Sequence, residues 1–199
     1  MIRFNILLIG ETSCGKSQFL QRYINDSYIK CTPTVGIDCT CHDVYINNTD
    51  IRLLFWDATG NIERFGNIIE DYYKRADGII IFKNATKSSK SLVFNNWIQL
   101  ALDKKTPNTQ LILVSTKQDL ILRQIEKFSI HPIHKLPHII TSAKTGNNIQ
   151  YSIEQLINLM LDKTHEINIQ LQSKNSETIA LLPKQKNNST KCFDCCVIL

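Results

Sequence analysis

Several features are missing from this chain, and each absence narrows what it can be. No apolar run reaches the roughly 18 residues that a membrane-spanning helix needs. The first residues also lack the layout of a secretory leader. The expectation is a chain that starts in the cytosol, where its seven cysteines stay mostly reduced. The pair Cys39-Thr40-Cys41 has no matching Cys/His partners at zinc spacing, so no zinc site is expected. There is no dense basic face interleaved with aromatics. The net charge of +5 therefore describes an ordinary surface, and nucleic acid is not an expected partner. No internal repeat is present. What remains is a 199-residue chain with 43% hydrophobic residues. That suits one domain plus a tail and excludes disorder throughout.

The stretch that organises the rest is Gly10-Glu11-Thr12-Ser13-Cys14-Gly15-Lys16-Ser17, which reads G-x-x-x-x-G-K-S. This is a phosphate-cradling pattern when a strand precedes it and a helix follows. Ile2 to Ile9 is a short apolar run that reads as a buried strand, and Ser17 to Tyr23 has helical composition. Gly10 and Gly15 permit backbone angles that a Cβ would penalise. The loop amides of Ser13, Cys14 and Gly15, and those of Lys16, Ser17 and Gln18 at the helix start, then favour an anion. Lys16 adds a cation for the outer phosphates, and the Ser17 hydroxyl suits Mg²⁺.

Further along, Val35 to Ile46 and Ile51 to Trp56 are strand-like, separated by a hairpin turn over Asn47-Asn48-Thr49-Asp50. Asn25 to Pro33 and Asp57 to Gly66 read as loops. Helices are expected over Ile68 to Ala76, Ser88 to Asp103, Ile121 to Phe128 and Ile149 to Leu161. Gly78 to Phe82, Leu111 to Val114 and His138 to Thr141 complete a set of six strands. Continuous apolar strands alternating with helices predict an α/β fold, a mostly parallel six-stranded sheet covered on both faces. Ligands of such folds bind beyond the carboxyl ends of the strands. From about Ser173 the periodicity fades into Asn, Ser, Thr, Lys and Gln, and a flexible tail is expected. The boundary is placed at residue 165, with a nucleotide-binding domain over 1–165 and the tail over 166–199.

Three further motifs each follow a predicted strand. Asp57-Ala58-Thr59-Gly60 offers a carboxylate for Mg²⁺ and a Gly60 amide for a terminal phosphate. Thr116-Lys117-Gln118-Asp119 offers an acidic side chain that accepts paired N–H bonds from guanine, which adenine cannot supply. The Lys117 stem suits the ring face. Thr141-Ser142-Ala143-Lys144 offers backbone amides for the guanine oxygen. Each alone is also a common structural turn; together, in this order and at strand ends, they form one constellation.

With these motifs the sequence resembles the Ras superfamily of small GTPases and, within it, the Rab family, over roughly residues 3 to 163 plus the C-terminus. Rab-like marks are Val35-Gly36-Ile37-Asp38, Trp56 before Asp57, Glu63-Arg64-Phe65 and Tyr72-Tyr73-Lys74-Arg75-Ala76. The resemblance implies a three-layer P-loop GTPase fold that binds GTP or GDP with Mg²⁺. Ser17, Thr34 and Asp57 would hold the metal, Thr34 would sense the γ-phosphate, and Tyr28 would pack on the guanine edge. The segments around Thr34 and from Glu63 to Tyr73 would be two switches, ordered by GTP and loosened by GDP. Implied partners are effectors, an exchange factor, a GTPase-activating protein, a prenylation escort and a GDP-dissociation inhibitor. The implied location is the cytoplasmic face of an endomembrane.

Departures from the family pattern bear on catalysis. The family carries Asp-Thr-Ala-Gly-Gln-Glu-Arg-Phe where this chain has Asp57-Ala58-Thr59-Gly60-Asn61-Ile62-Glu63-Arg64-Phe65. Thr and Ala are transposed, one residue is inserted, and the water-orienting Gln is absent. Asn61 is the nearest catalytic substitute. Thr116 stands for the commoner Asn, and Lys83-Asn84 for Tyr-Asp. The chain ends Cys195-Cys196-Val197-Ile198-Leu199. Its last four residues form a C-a-a-X box whose terminal Leu favours geranylgeranyl transfer to Cys196, with Cys195 as a second site. Three readings follow: a working switch of vesicle traffic, a GTP-binding module with little hydrolysis, or another P-loop nucleotide enzyme. The missing Gln favours the second, and Asp119 with Ser142-Ala143-Lys144 speaks against the third.

Overall fold

Residues 1–29, 32, 34–60, 70–86, 92–121, 128–130 and 135–181 are described by the computed structural model. The chain divides into two units, Met1–Lys163 and Thr164–Leu199. In the first, strands β1 (Ile2–Gly10), β2 (Ile37–Ile46), β3 (Thr49–Ala58), β4 (Gly78–Asn84), β5 (Gln110–Thr116), β6 (Phe128–Ile130) and β7 (Pro137–Ile140) form one sheet. Their order is β2-β3-β1-β4-β5-β7-β6. The four central pairings are parallel, and β2 and β6 add antiparallel edges. The helices are α1 (Lys16–Asn25), α2 (Leu92–Lys104) and α3 (Ile149–Leu181), and residues 70–75 are also helical.

Alternation along the strands produces two cores. Phe4, Ile6 and Leu8 of β1, with Ile80, Phe82, Ile112 and Val114, meet Phe19 and Leu20 of α1 and Ile153, Leu156 and Ile157 of α3. The alternate residues Leu7, Ile9, Ile79, Ile81, Leu111 and Leu113 meet Tyr73, Phe94, Trp97 and Ile98. Each fully buried Leu, Ile or Phe stabilises by about 1.5–3 kcal/mol. The central strands are therefore apolar on both faces, which is why they read as continuous runs. The expected α/β class with helices on both faces is what is observed.

The boundaries depart from expectation in four places. The six expected strands are present, and Phe128–Ile130 adds a seventh at the edge, where a helix over Ile121 to Phe128 was expected; residues 122–127 lie outside the described set. β2 starts at Ile37 because Gly36 takes a left-handed φ of 80° and leaves Val35 84% exposed. The hairpin turn is two residues long rather than four: Asn47 and Asn48 both sit at positive φ (51° and 59°), the geometry that matches strand twist. Helix α3 continues to Leu181, into the expected flexible tail. No Gly or Pro interrupts residues 149–181, so propagation costs little per residue. The first such residue after it is Pro183. Among the described residues, no helix is long and apolar enough to cross a membrane.

Candidate functional site

The carboxyl ends of β1 and β3 frame the first cavity of the candidate site. β1 runs into Gly10, whose backbone lies so close to β4 that a Cβ there would sit 2.3 Å from the Phe82 carbonyl oxygen. The loop then returns, and Gly15, at φ 105°, caps the start of α1. Lys16 is buried, and its Nζ donates to the carbonyls of Gly10 (3.1 Å) and Glu11 (3.3 Å). The ammonium thus lies folded along the loop. A cavity of about 240 Å³ opens here, lined by Thr12, Ser13, Gly15, Lys16, Ser17 and Gln18. Its far wall is Thr32, Thr34, Ala58, Thr59, Gly60 and Lys117. Cys14 points inward instead; its thiol is buried, and burial raises its pKa.

Three oxygen donors converge beside this cavity. The Ser17 hydroxyl donates a short hydrogen bond to Asp57 Oδ2. Thr34 Oγ1 lies 3.0 Å from Ser17 Oγ and 3.4 Å from Asp57 Oδ2. Asp57 Oδ1 is buried and has no hydrogen-bond partner among the described residues. Burial pushes the Asp57 carboxyl above its ordinary range, while Ser17, Lys16 and Thr34 pull it back. Two hydroxyls and a carboxylate with a spare oxygen form a hard donor set that fits Mg²⁺. Such a cation would offset the cost of burying the carboxylate. Gly60 approaches the loop from the other side: a Cβ on it would lie 2.2 Å from the Thr12 nitrogen. Thr59 lines the cavity wall, with its N–H donating to the Gly36 carbonyl (2.9 Å).

A second cavity of about 180 Å³ adjoins the first, sharing Gly15, Gln18 and Lys117 with it. Its remaining walls are Tyr28, Thr116, Asp119, Leu120, Ala143 and Lys144. The end of β5 is tied to the phosphate loop twice. Thr116 Oγ1 donates a short bond to the Cys14 carbonyl, and Lys117 Nζ reaches the Ser13 carbonyl at 2.9 Å. Thr116 therefore links the two loops, although it replaces the commoner Asn. Ser142 does not line the cavity; it is buried behind it and donates from Oγ to Asp119 Oδ1 (2.6 Å). The Ser142 Oγ also accepts the Thr145 N–H (3.2 Å). Asn147 Nδ2 donates to Gln118 Oε1 (2.6 Å), a further brace between the two loops.

The structure thus brings together nearly all the residues singled out in the sequence. Asn61, with the rest of residues 61–69, and Cys195 and Cys196 lie outside the described residues. Sequence reasoning passed over Thr12, Thr32 and Leu120, which line the cavities, and Arg22. Arg22 stands in the last turn of α1, where a basic residue is ordinarily explained by the helix dipole. Its guanidinium instead reaches the carbonyls of Ala143 and Lys144. The distance in sequence, together with that ordinary explanation, hid it.

Comparison with known proteins adds to this geometry. A model of the Ras family matches residues 5–162. The Ras-related protein Rab-1A of Dictyostelium discoideum is 32% identical over 155 residues, covering 74% of this chain and 75% of that protein. The Ras-related protein Rab-1 of Theileria annulata is 31% identical over 166 residues, 80% of this chain and 75% of the relative. The Ras-related protein Rab-3C of Bos taurus is 31% identical over 173 residues, 82% and 74% respectively.

Proposed function

The chain belongs to the Ras family, on its Rab branch, and from that premise we propose how this member works. It is a Rab-like small GTPase, a guanine-nucleotide-binding regulator of membrane traffic. Membership sets aside the reading as an unrelated P-loop enzyme. In our reading one guanine nucleotide spans the two adjoining cavities, and their shared walls at Gly15, Gln18 and Lys117 are the observation that carries this. Asp119 and the Ala143-Lys144 amides read the base, and Tyr28 covers its edge. Lys16 leaves its carbonyl partners to meet the outer phosphates. Ser17, Thr34 and Asp57 would hold Mg²⁺, which would neutralise phosphate charge there.

Turnover is phosphoryl transfer to water. An attacking water forms a bond to the γ-phosphorus and gives up a proton to a phosphate oxygen, the bond from that phosphorus to the bridging oxygen breaks with its electron pair leaving on GDP, and GDP and phosphate result. Positioning that water supplies most of the rate, and here the family's Gln is missing. Asn61 has the amide on a shorter stem, and the inserted residue shifts the register of the loop. Thr59 adds a hydroxyl at the cavity wall. We therefore assign slow intrinsic hydrolysis, with an activating protein needed for rapid switching. Geranylgeranyl groups on Cys196 and Cys195 would anchor the protein to an endomembrane. An escort, a dissociation inhibitor, an exchange factor and effectors would complete its cycle.

The experiment is single-turnover cleavage of bound GTP. The parent is compared with a variant in which Ala58-Thr59-Gly60-Asn61-Ile62 is rebuilt as Thr-Ala-Gly-Gln. Faster cleavage in the rebuilt loop is expected. An equal rate would show that the loop is not what limits hydrolysis. No cleavage by the parent, even with an activating protein, would favour the second reading, a binding module regulated by exchange alone.

A further inference from the structure

Arg22 is a long-range tie between α1 and the loop that follows β7. Its side chain is only 17% exposed. Nε donates to the Ala143 carbonyl at 2.7 Å and Nη2 to the Lys144 carbonyl at 2.9 Å. Nη1 turns the other way, to the Asp26 carbonyl (2.8 Å) and to Asp26 Oδ1 (3.1 Å). Nε and Nη2 share one edge of the planar guanidinium, so they hold two consecutive carbonyls side by side.

That clamp constrains more than the carbonyls. Within a trans peptide the C=O and the following N–H point in opposite directions. Fixing the Ala143 carbonyl on Arg22 therefore aims the Lys144 N–H away from α1. Ala143 and Lys144 line the base cavity, and their N–H groups have no partner among the described residues. The same helix begins at Lys16, in the phosphate cavity. A ten-residue rod thus has the phosphates at one end and the base loop clamped at the other. The Asp26 contact adds little to this, because the Asp26 side chain is 95% exposed and such pairs are screened.

We propose that Arg22 is a positioning residue for the guanine nucleotide: by clamping the Ala143 and Lys144 carbonyls it fixes the peptide planes on either side of Lys144, aims the Lys144 N–H at the base oxygen, and so sets nucleotide residence time. The inference rests on the guanine-binding reading above and names a residue outside the motifs.

The test uses the full chain loaded with fluorescent GDP. Release is followed in excess unlabelled GDP, and affinity for GDP is compared with that for 2-aminopurine riboside diphosphate, which lacks the base oxygen. Arg22→Gln is expected to speed GDP release roughly tenfold and to narrow the preference for GDP over the oxygen-free analogue by a similar factor. Arg22→Lys keeps the charge but not the fork, and should fall between. Asp26→Asn should stay within about twofold of the parent, since an exposed pair is worth little. A variant that weakens both ligands equally would make Arg22 a brace of the fold only, and would overturn the proposal. If Arg22→Gln does not fold, Arg22→Lys carries the same comparison, and a parent-like preference there overturns it. A parent that binds ADP as tightly as GDP would defeat the guanine reading, and this inference with it.

Discussion

Asp119 lines the base cavity and accepts the Ser142 hydroxyl at 2.6 Å. Asp119→Ala removes the acceptor proposed to pair with the base and leaves Ser142 Oγ without this partner. The expected cost is on the order of 1–3 kcal/mol, or about 5- to 150-fold in affinity. Competition of ADP and GDP against a fluorescent GDP measures it. An unchanged preference for GDP would remove Asp119 from base reading. At this scale the sequence was informative wherever ligand chemistry dictates residue type. Lys16, Ser17, Asp57 and Asp119 stand in motifs whose spacing carries that meaning. Arg22 was illegible because its partners are 121 and 122 residues away, and its place in the last helical turn has an ordinary explanation. Thr116 was legible as a motif member but not as a link, since its tie to the Cys14 carbonyl exists only once β1 and β5 are folded into one sheet.

The hairpin between β2 and β3 turns on Asn47 and Asn48, both left-handed. A β-branched side chain cannot follow Asn into that region without strain. Asn48→Val should destabilise the first unit by about 1–2 kcal/mol. That corresponds to a fall of roughly 2–8 °C in melting temperature for a unit of this size. Asn48→Gly should be neutral or stabilising. Thermal melts of the two variants side by side provide the check, and equal melting points would mean the turn is not under that constraint. The central strands were readable because burial on both faces makes them unbroken apolar runs. Edges were harder. β6 is three residues long, too short for any period, and it exists through its pairing with β7. The end of α3 was misjudged because polar composition was taken for disorder, whereas Gln, Lys and Glu are good helix formers.

For the molecule as a whole, the two units have different legibility. Met1–Lys163 has a pattern tied to a packed core, and its class followed from that pattern. Beyond it, the proposed lipid sites at Cys195 and Cys196 were read from a sequence motif alone. Double substitution of both by Ser should leave the protein in the soluble fraction, because each buried lipid methylene contributes about 0.8 kcal/mol. Fractionation with mass spectrometry of the mature C-terminus tests this, and two unmodified thiols on membrane-bound protein would refute it. The tilted ring contact between Trp56 and Tyr72 has a consequence of another kind. The chain has two tryptophans. Trp97 is 2% exposed within the second core. Trp56 is half-buried, its ring 4.9 Å from that of Tyr72 and its Nε1 at 3.5 Å from Asn5 Oδ1. Tyr72 belongs to the segment expected to rearrange with the nucleotide. The protein therefore carries its own optical reporter: ultraviolet excitation should give a constant emission from Trp97 and a nucleotide-sensitive one from Trp56. Exchanging GDP for a non-hydrolysable GTP analogue should change the emission of the parent and leave Trp56→Phe flat, so that the state of the switch is read as colour and intensity without any added label.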